Sequence, residues 1–361
     1  MSASRPLVLV EDDPWTRLIQ VVLDPDTPAE RVAAFADFMS PDEPDFAGWC
    51  ADVRARAGRL WPARVRMVET REELLSALPE ADAVITESLP INAESLAVAP
   101  RLKAVQKYGA ILRNIDTAAC AARGVAVLPL RRRANIACAE HAFAMLLMLV
   151  RRLQTIAGLI SPPQLQGAGF PYRPFDRRHT PNGNWGRIGG TRSLYGSTIG
   201  IIGMGEIGRE IAVRAAAFEM AILYHQRTRL SAAEEQVLHA SYAELDELLA
   251  QSDWVVPQLP SGPSTRHLID SAKLAQMKPG AFLINVSRAD VVDRAALIAA
   301  LHSGHLGGFA LDPLYEEPGN ADDELLAFQN VLLIPHMAGS PRHNGLRDIE
   351  ELVVHLSKEI N

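Results

Sequence analysis

The residues Gly203-Met204-Gly205-Glu206-Ile207-Gly208 have the types and spacing of a turn that cradles the pyrophosphate of a dinucleotide. An apolar run at 198–202 precedes them and a helical pattern at 206–218 follows, the strand–turn–helix setting such a turn requires. There Gly203 permits the tight turn, Gly205 lets backbone approach phosphate, and Gly208 lets helix and strand pack closely. Met204, Glu206 and Ile207 lie at the helix start, whose free N–H groups and dipole favour an anion. The next strand ordinarily ends near an acidic residue that takes the adenosine ribose hydroxyls. Here His225 holds that place, Gln226, Arg227, Thr228 and Arg229 follow, and no Asp or Glu is near. A carboxylate repels a 2′-phosphate and arginine pairs with it, so the segment predicts NADP in preference to NAD. The alternative is that Arg227 and Arg229 only end a strand in solvent.

Two further side chains stand just past apolar strands, at the carboxyl edge where open α/β sheets bind ligands. Arg288 follows the run at 281–286, and its planar fork suits a carboxylate. Its structural alternative is an ion pair with Asp290 or Asp293. His336 follows the run at 331–334 and can exchange a proton near neutral pH. The alternative is a satisfied structural histidine.

These residues need a frame of alternating strands and helices. Strand patterns at 7–10, 64–68, 83–86, 102–107 and 125–128 alternate with helix-like segments such as 71–78 and 117–123, implying a parallel sheet covered on both faces. A second series has strands at 198–202, 221–224, 254–258, 281–286, 308–311 and 331–334, closed by a helix at 346–359. Between them, 139–153 reads as a helix apolar around most of its circumference, fit for a core or a subunit interface. The segment 161–197, rich in Pro, Gly and Arg, reads as an arm or connection, with Trp185 and Tyr195 expected to pack.

At 361 residues the chain suggests two domains at roughly 150 residues each. A net charge of −7 argues against a nucleic-acid partner. Three unpatterned cysteines imply a reducing compartment with neither disulfides nor a metal site. The apolar stretch at 142–150 is too short to span a bilayer, and no secretory signal is legible, so a cytoplasmic chain without a membrane partner is expected.

Beyond the glycine turn, four segments carry a resemblance: Ala139-Glu-His; Met277-Lys-Pro-Gly-Ala-Phe-Leu-Ile-Asn-Val-Ser-Arg288; Leu311-Asp-Pro-Leu-Tyr-Glu-Glu-Pro318; and Ile334-Pro-His-Met-Ala-Gly-Ser340. In order and spacing the chain resembles the D-2-hydroxyacid dehydrogenases, which include glyoxylate and hydroxypyruvate reductases. The resemblance implies hydride transfer between a nicotinamide, NADP or NAD, and a small 2-oxo acid. It implies two Rossmann-like α/β domains with parallel sheets. A cofactor domain at 134–340 is inserted into a discontinuous substrate domain, 1–133 with 341–361, and the active site lies in the cleft between them. It makes Arg288 the carboxylate holder, His336 the proton donor and Glu317, rather than Glu316, the acidic partner of that histidine. Asp312 would lie near the nicotinamide carboxamide, with Leu259, Pro260, Val286, Ser287 and Gly339 also against the cofactor. Backbone N–H groups of Ala110 and Ile111 would take the substrate carboxylate, in a loop where Ile111 and Arg113 depart from the family pattern. Lys107, Arg113 and Arg131 are either solvated or able to meet a second acidic group. The resemblance also implies a homodimer. It disfavours phosphoglycerate, for want of a regulatory domain, and formate, because Glu317 stands where those enzymes carry glutamine. A dinucleotide-sensing, corepressor-like protein and a dehydrogenase of bulkier 2-oxo acids are the rival readings.

Overall fold

The computed structural model describes residues 5–170, 172–174 and 176–360. They form two compact units, 1–137 with 339–361 and 138–338. Each carries one wholly parallel sheet.

Unit 1 holds β1 (Leu7–Glu11), β2 (Arg64–Val68), β3 (Ala83–Thr86), β4 (Ala104–Lys107) and β5 (Ala126–Leu128) in the order β2-β1-β3-β4-β5. Apolar clusters cover both faces of this sheet, as parallel strands require. The terminal helix His343–Glu359 starts three residues earlier than the apolar pattern indicates and buries Leu346, Ile349, Leu352, Val353 and Leu356 in one of those clusters. Gly345 lets it approach: a Cβ there would stand 2.1 Å from the Trp15 ring. Asp348 is fully buried and accepts hydrogen bonds from the Arg133 N–H at 2.9 Å and from its guanidinium at 2.9 Å. Helices Arg17–Leu23, Ala29–Met39 and Phe46–Arg56 fill the stretch between β1 and β2.

Unit 2 holds β6 (Thr198–Ile202), β7 (Ala221–His225), β8 (Ala240–Tyr242), β9 (Trp254–Pro257), β10 (Ala281–Asn285), β11 (Leu306–Leu311) and β12 (Val331–Leu333). Their order is β12-β11-β10-β9-β6-β7-β8, so the chain reverses direction across the sheet between β6 and β9. Such a reversal opens a crevice at the carboxyl ends of the strands. Buried side chains again lie on both faces.

The helix Arg133–Val150 begins earlier than the apolar pattern indicates. By length and composition alone it could cross a bilayer, contrary to the expectation drawn from the shorter apolar stretch. Phe143, Met145, Leu146 and Leu149 instead pack in the core of unit 2. The helix is not buried all round: Ala144 is exposed and Leu147 and Met148 are half-buried. The arm at 161–197 starts with a short helix, Pro162–Gly167, and has no other regular element among its described residues. Trp185 packs edge-on against Tyr172, and Leu194 enters the core, whereas Tyr195 is 72% exposed, contrary to expectation. Arg152 ties the arm down by donating to the Gly189 carbonyl, and Arg192 does so at Gly280.

Candidate active site

The glycine turn joins β6 to the helix Glu206–Ala217 at the reversal point of the sheet. Its three glycines answer to three different constraints. Gly203 has φ +103°, and a Cβ there would meet the Gln258 carbonyl oxygen at 2.4 Å and Leu259 at 3.1 Å. Gly208 lies so close to the strand that a Cβ would stand 2.2 Å from the Gly203 oxygen. Gly205 caps the helix at φ −79°, and a Cβ there would find nothing within 4 Å. A substituent at Gly205 would therefore project into open space at the mouth of a twelve-residue helix, where a phosphate would sit. That geometry fits a dinucleotide.

Beside the turn, Gln226 accepts from the Met204 N–H at 3.2 Å and donates to the Thr228 carbonyl at 2.6 Å. His225 fixes its ring through Nδ1, 3.1 Å from the Ala243 carbonyl. The two arginines part company here. Arg229 is committed to Glu235 by a two-point ion pair of 2.8 and 2.9 Å, which the Tyr224 hydroxyl joins. Arginine and tyrosine together hold the Glu235 carboxyl down at about 2. Arg229 is thus not available to a 2′-phosphate as the sequence suggested, because a helix six residues on supplies its anion. Arg227 is exposed and makes no side-chain hydrogen bond or ion pair among the described residues.

At the other end of the edge, β10 runs into a turn built on Asn285. This fully buried amide accepts from the Ser287 N–H and hydroxyl at 2.9 Å each and donates to the Arg288 carbonyl at 2.8 Å. Val286 and Ser287 are thereby buried, and Arg288 is exposed with one guanidinium N–H on the Ser287 carbonyl. The structural alternative for Arg288 falls away. Asp290 accepts from the Ser261 hydroxyl, and Asp293 caps the helix Arg294–His302 at the Ala296 N–H. Pro260 is exposed, and its carbonyl accepts from Thr265.

Strand register aligns Asn285, Leu311 and Leu333 across β10, β11 and β12. Arg288, Asp312 and His336 therefore leave the same edge, with Arg288 and His336 two strand spacings apart, about 10 Å. His336 has φ +47°, a conformation that L-residues rarely adopt. Its N–H donates to the Asp312 and Ile334 carbonyls, each at 2.9 Å. Asp312 is 0% exposed and accepts from the next two N–H groups, Met337 at 2.8 Å and Ala338 at 3.0 Å. His141 Nε2 lies 3.4 Å from the same carboxylate, an ion-pair distance without hydrogen-bond geometry. Burial pushes the Asp312 carboxyl up, but His141 and the two N–H groups outweigh it and leave it below its ordinary range. Both of its oxygens hold the chain that follows His336.

His336 Nδ1 lies 3.0 Å from Glu317 Oε2, and the other oxygen of Glu317 accepts from the Leu314 N–H at 2.9 Å. Both side chains stay about half exposed. Burial raises the Glu317 carboxyl, but the hydrogen bonds from His336 and Leu314 and the imidazole's charge bring it below its ordinary range. A carboxylate can only accept, so Nδ1 carries a proton and Nε2 is the atom left to exchange one. Glu316 is exposed and takes no part.

Unit 1 carries the loop 107–116 at the end of β4. Lys107 is neither solvated nor open to a substrate: it is buried and donates to the Glu87 carbonyl. Tyr108 N–H is held by Thr86 and the Gly109 carbonyl by Leu130, while Ala110 is exposed and Ile111 half-buried. Gly339 is half-buried and falls in unit 1. Sequence reasoning missed the parts played by Asn285 and His141. The first bears on the site only through a turn, and the second sits in the core-facing helix, 171 residues before its partner.

A family model described as D-isomer specific 2-hydroxyacid dehydrogenase, NAD binding domain, matches residues 173–338. A glyoxylate reductase of Pyrococcus furiosus is 38% identical over 284 residues, 78% of this chain and 80% of that protein. A glyoxylate reductase of Thermococcus gammatolerans is 37% identical over 295 residues, 81% and 83% of the two chains. The apo crystal structure of Rhodotorula graminis D-mandelate dehydrogenase superposes with a TM-score of 0.57 at 25% identity, covering 97% of this chain and 93% of that one.

Proposed function

The chain belongs to the D-isomer specific 2-hydroxyacid dehydrogenase family, and from that premise we propose that it reduces small 2-oxo acids, glyoxylate among them. The observation that carries this is the 3.0 Å His336–Glu317 pair on the same sheet edge as Arg288. The glycine turn Gly203–Gly208 would hold a nicotinamide dinucleotide, which when bound would supply the hydride that such a reduction needs. His336 Nε2 gives its proton to the carbonyl oxygen, so the 2-oxo acid leaves as the 2-hydroxy acid. Glu317 stabilises the protonated imidazole and fixes its tautomer through Nδ1. Arg288 holds the carboxylate. Asp312 acts as a positioning residue for His336. The adenosine 2′-phosphate of NADPH is assigned to Arg227, with Thr228 and the ring of His225 beside it.

A homodimer is the proposed assembly, because Leu147, Tyr195 and Phe218 line one hollow of unit 2 and leave apolar surface uncovered there.

The test is a panel of 2-oxo acids scored by loss of NADPH and, separately, NADH absorbance. Reduction of glyoxylate is expected, with a fall of about a hundredfold or more in kcat for His336→Ala. Turnover of no acid would refute the assignment and leave a dinucleotide-sensing protein. A best rate with an aromatic 2-oxo acid would favour the second reading, a mandelate-type substrate, which the likeness to the D-mandelate enzyme supports.

A further inference from the structure

The arm at 161–197 holds a chemically labile pair that the fold leaves open. Asn-Gly occurs twice in the chain, at 182–183 and at 344–345. In such a pair the backbone nitrogen after the asparagine can turn on the side-chain amide, because glycine has no Cβ to hinder the approach. Whether it does so depends on what holds the amide, the N–H and the backbone around them.

The two pairs differ in these respects. Asn182 and Gly183 are both exposed and lie outside any helix or strand. Neither the Asn182 amide nor the Gly183 N–H makes a hydrogen bond among the described residues. Asn344 lies in the first turn of the helix His343–Glu359, where Gly345 is buried and its N–H donates to the Arg342 carbonyl at 2.9 Å. Asn184, two residues past the open pair, is exposed as well, but Trp185 follows it and its amide is held at both atoms. Its Nδ2 donates to the Ile188 carbonyl and its Oδ1 accepts from the Ile188 N–H, each at 3.0 Å. The fold does not need a glycine at 183. A Cβ there would find nothing within 4 Å, and its φ is not in the left-handed region.

We propose that Asn182 is a site of spontaneous deamidation, so that the arm comes to carry aspartate or isoaspartate as the protein ages. The Gly183 nitrogen attacks Cγ of Asn182 and a new N–Cγ bond forms. The Cγ–Nδ2 bond breaks, and Nδ2 leaves as ammonia with the proton from the Gly183 N–H. A five-membered succinimide remains. Water then adds to one of its two carbonyls. Cleavage of N–Cγ restores the backbone and gives aspartate, whereas cleavage at the main-chain carbonyl of residue 182 leaves isoaspartate, with one more methylene in the chain. Water is the only co-reactant, and nothing is oxidised or reduced. Either product takes the net charge from −7 to −8. The new carboxylate enters a segment whose cations are Arg173, Arg177, Arg178, Arg187 and Arg192 and whose one acid, Asp176, is already paired with Arg178.

The test ages the full chain in mildly alkaline buffer, which promotes loss of the attacking N–H proton, and follows it by peptide mass. Tryptic peptides 179–187 and 343–347 separate the two pairs, and fragmentation separates Asn182 from Asn184. The amide-to-acid mass gain is expected at Asn182, with isoaspartate in the same peptide, while Asn184 and Asn344 stay intact. Gly183→Ala is expected to slow the change at least about tenfold without moving the urea midpoint. In the urea-unfolded chain Asn344 is expected to react as readily as Asn182, because the helix that guards it is gone. Reaction at Asn344 or Asn184 ahead of Asn182 in the folded chain overturns the assignment. So does an unchanged rate in Gly183→Ala, or an Asn182 that stays intact in the folded chain while the unfolded chain reacts.

Discussion

Replacing the three turn glycines by alanine, one at a time, separates folding from cofactor binding. Gly208→Ala puts a methyl 2.2 Å from the Gly203 oxygen, a backbone atom that cannot swing aside. Overpacking of this kind costs about 1–3 kcal/mol. Gly203→Ala adds a 2.4 Å clash with the Gln258 oxygen to a left-handed φ of +103°, so a further ~1–3 kcal/mol of backbone strain is expected. Gly205→Ala is different in kind. Its methyl meets no protein atom within 4 Å and its φ of −79° suits any residue, so its folding cost stays below about 1 kcal/mol. What it loses is close approach of backbone to phosphate, and a rise in Kd of at least about tenfold, ~1.4 kcal/mol, is expected. Urea midpoints and calorimetric titration with NADPH read the two effects independently. The reasoning fails if Gly205→Ala binds the dinucleotide as tightly as the parent, or if Gly208→Ala unfolds at the parent midpoint.

Asp312→Ala leaves two N–H groups without their charged acceptor and is expected to cost about 3 kcal/mol in urea, with a fall in kcat larger than any change in KM. The Asp312 carboxyl is lowered on folding, so its contribution is full above about pH 4 and is lost as pH falls through the folded value. The parent's urea midpoint should therefore drop more between pH 5 and 3 than that of Asp312→Asn, and parallel curves would refute the sign. Arg227→Ala is expected to raise the KM for NADPH about tenfold and leave NADH alone, whereas Arg229→Ala, already paired with Glu235, changes either less than about threefold. Equal effects of the two variants would return the 2′-phosphate to Arg229.

What the sequence made legible was local. A strand, three spaced glycines and a helix lie within twenty residues, and each glycine's constraint follows from its neighbours. Arg288 and His336 were legible for the same reason: each stands a few residues past an apolar strand, and the parallel sheet brings those ends to one edge. The helices between β1 and β2 were not. The first, Arg17–Leu23, is seven residues long and starts without a side-chain cap, and Ala29–Met39 buries only Met39 fully, so neither leaves a strong apolar period. Strand β8 is three residues on the rim of its sheet, too short for any alternation to register.

The misreadings have one cause. Whether a charged side chain is free depends on what a distant segment presents to it, and composition near the residue does not carry that. Arg229 looked available because no acid stands beside it in sequence, but the next helix brings Glu235 round to face it. Lys107 looked solvated, yet the exit of β3 supplies a carbonyl and buries it. The converse also holds. Arg227 and most of the Arg288 guanidinium remain unpaired among the described residues, and a parallel sheet leaves such groups at its carboxyl edge. Unspent hydrogen-bonding capacity, rather than charge as such, is the ground on which these two are proposed as binding residues, and it can be read only once the partners of the others are known.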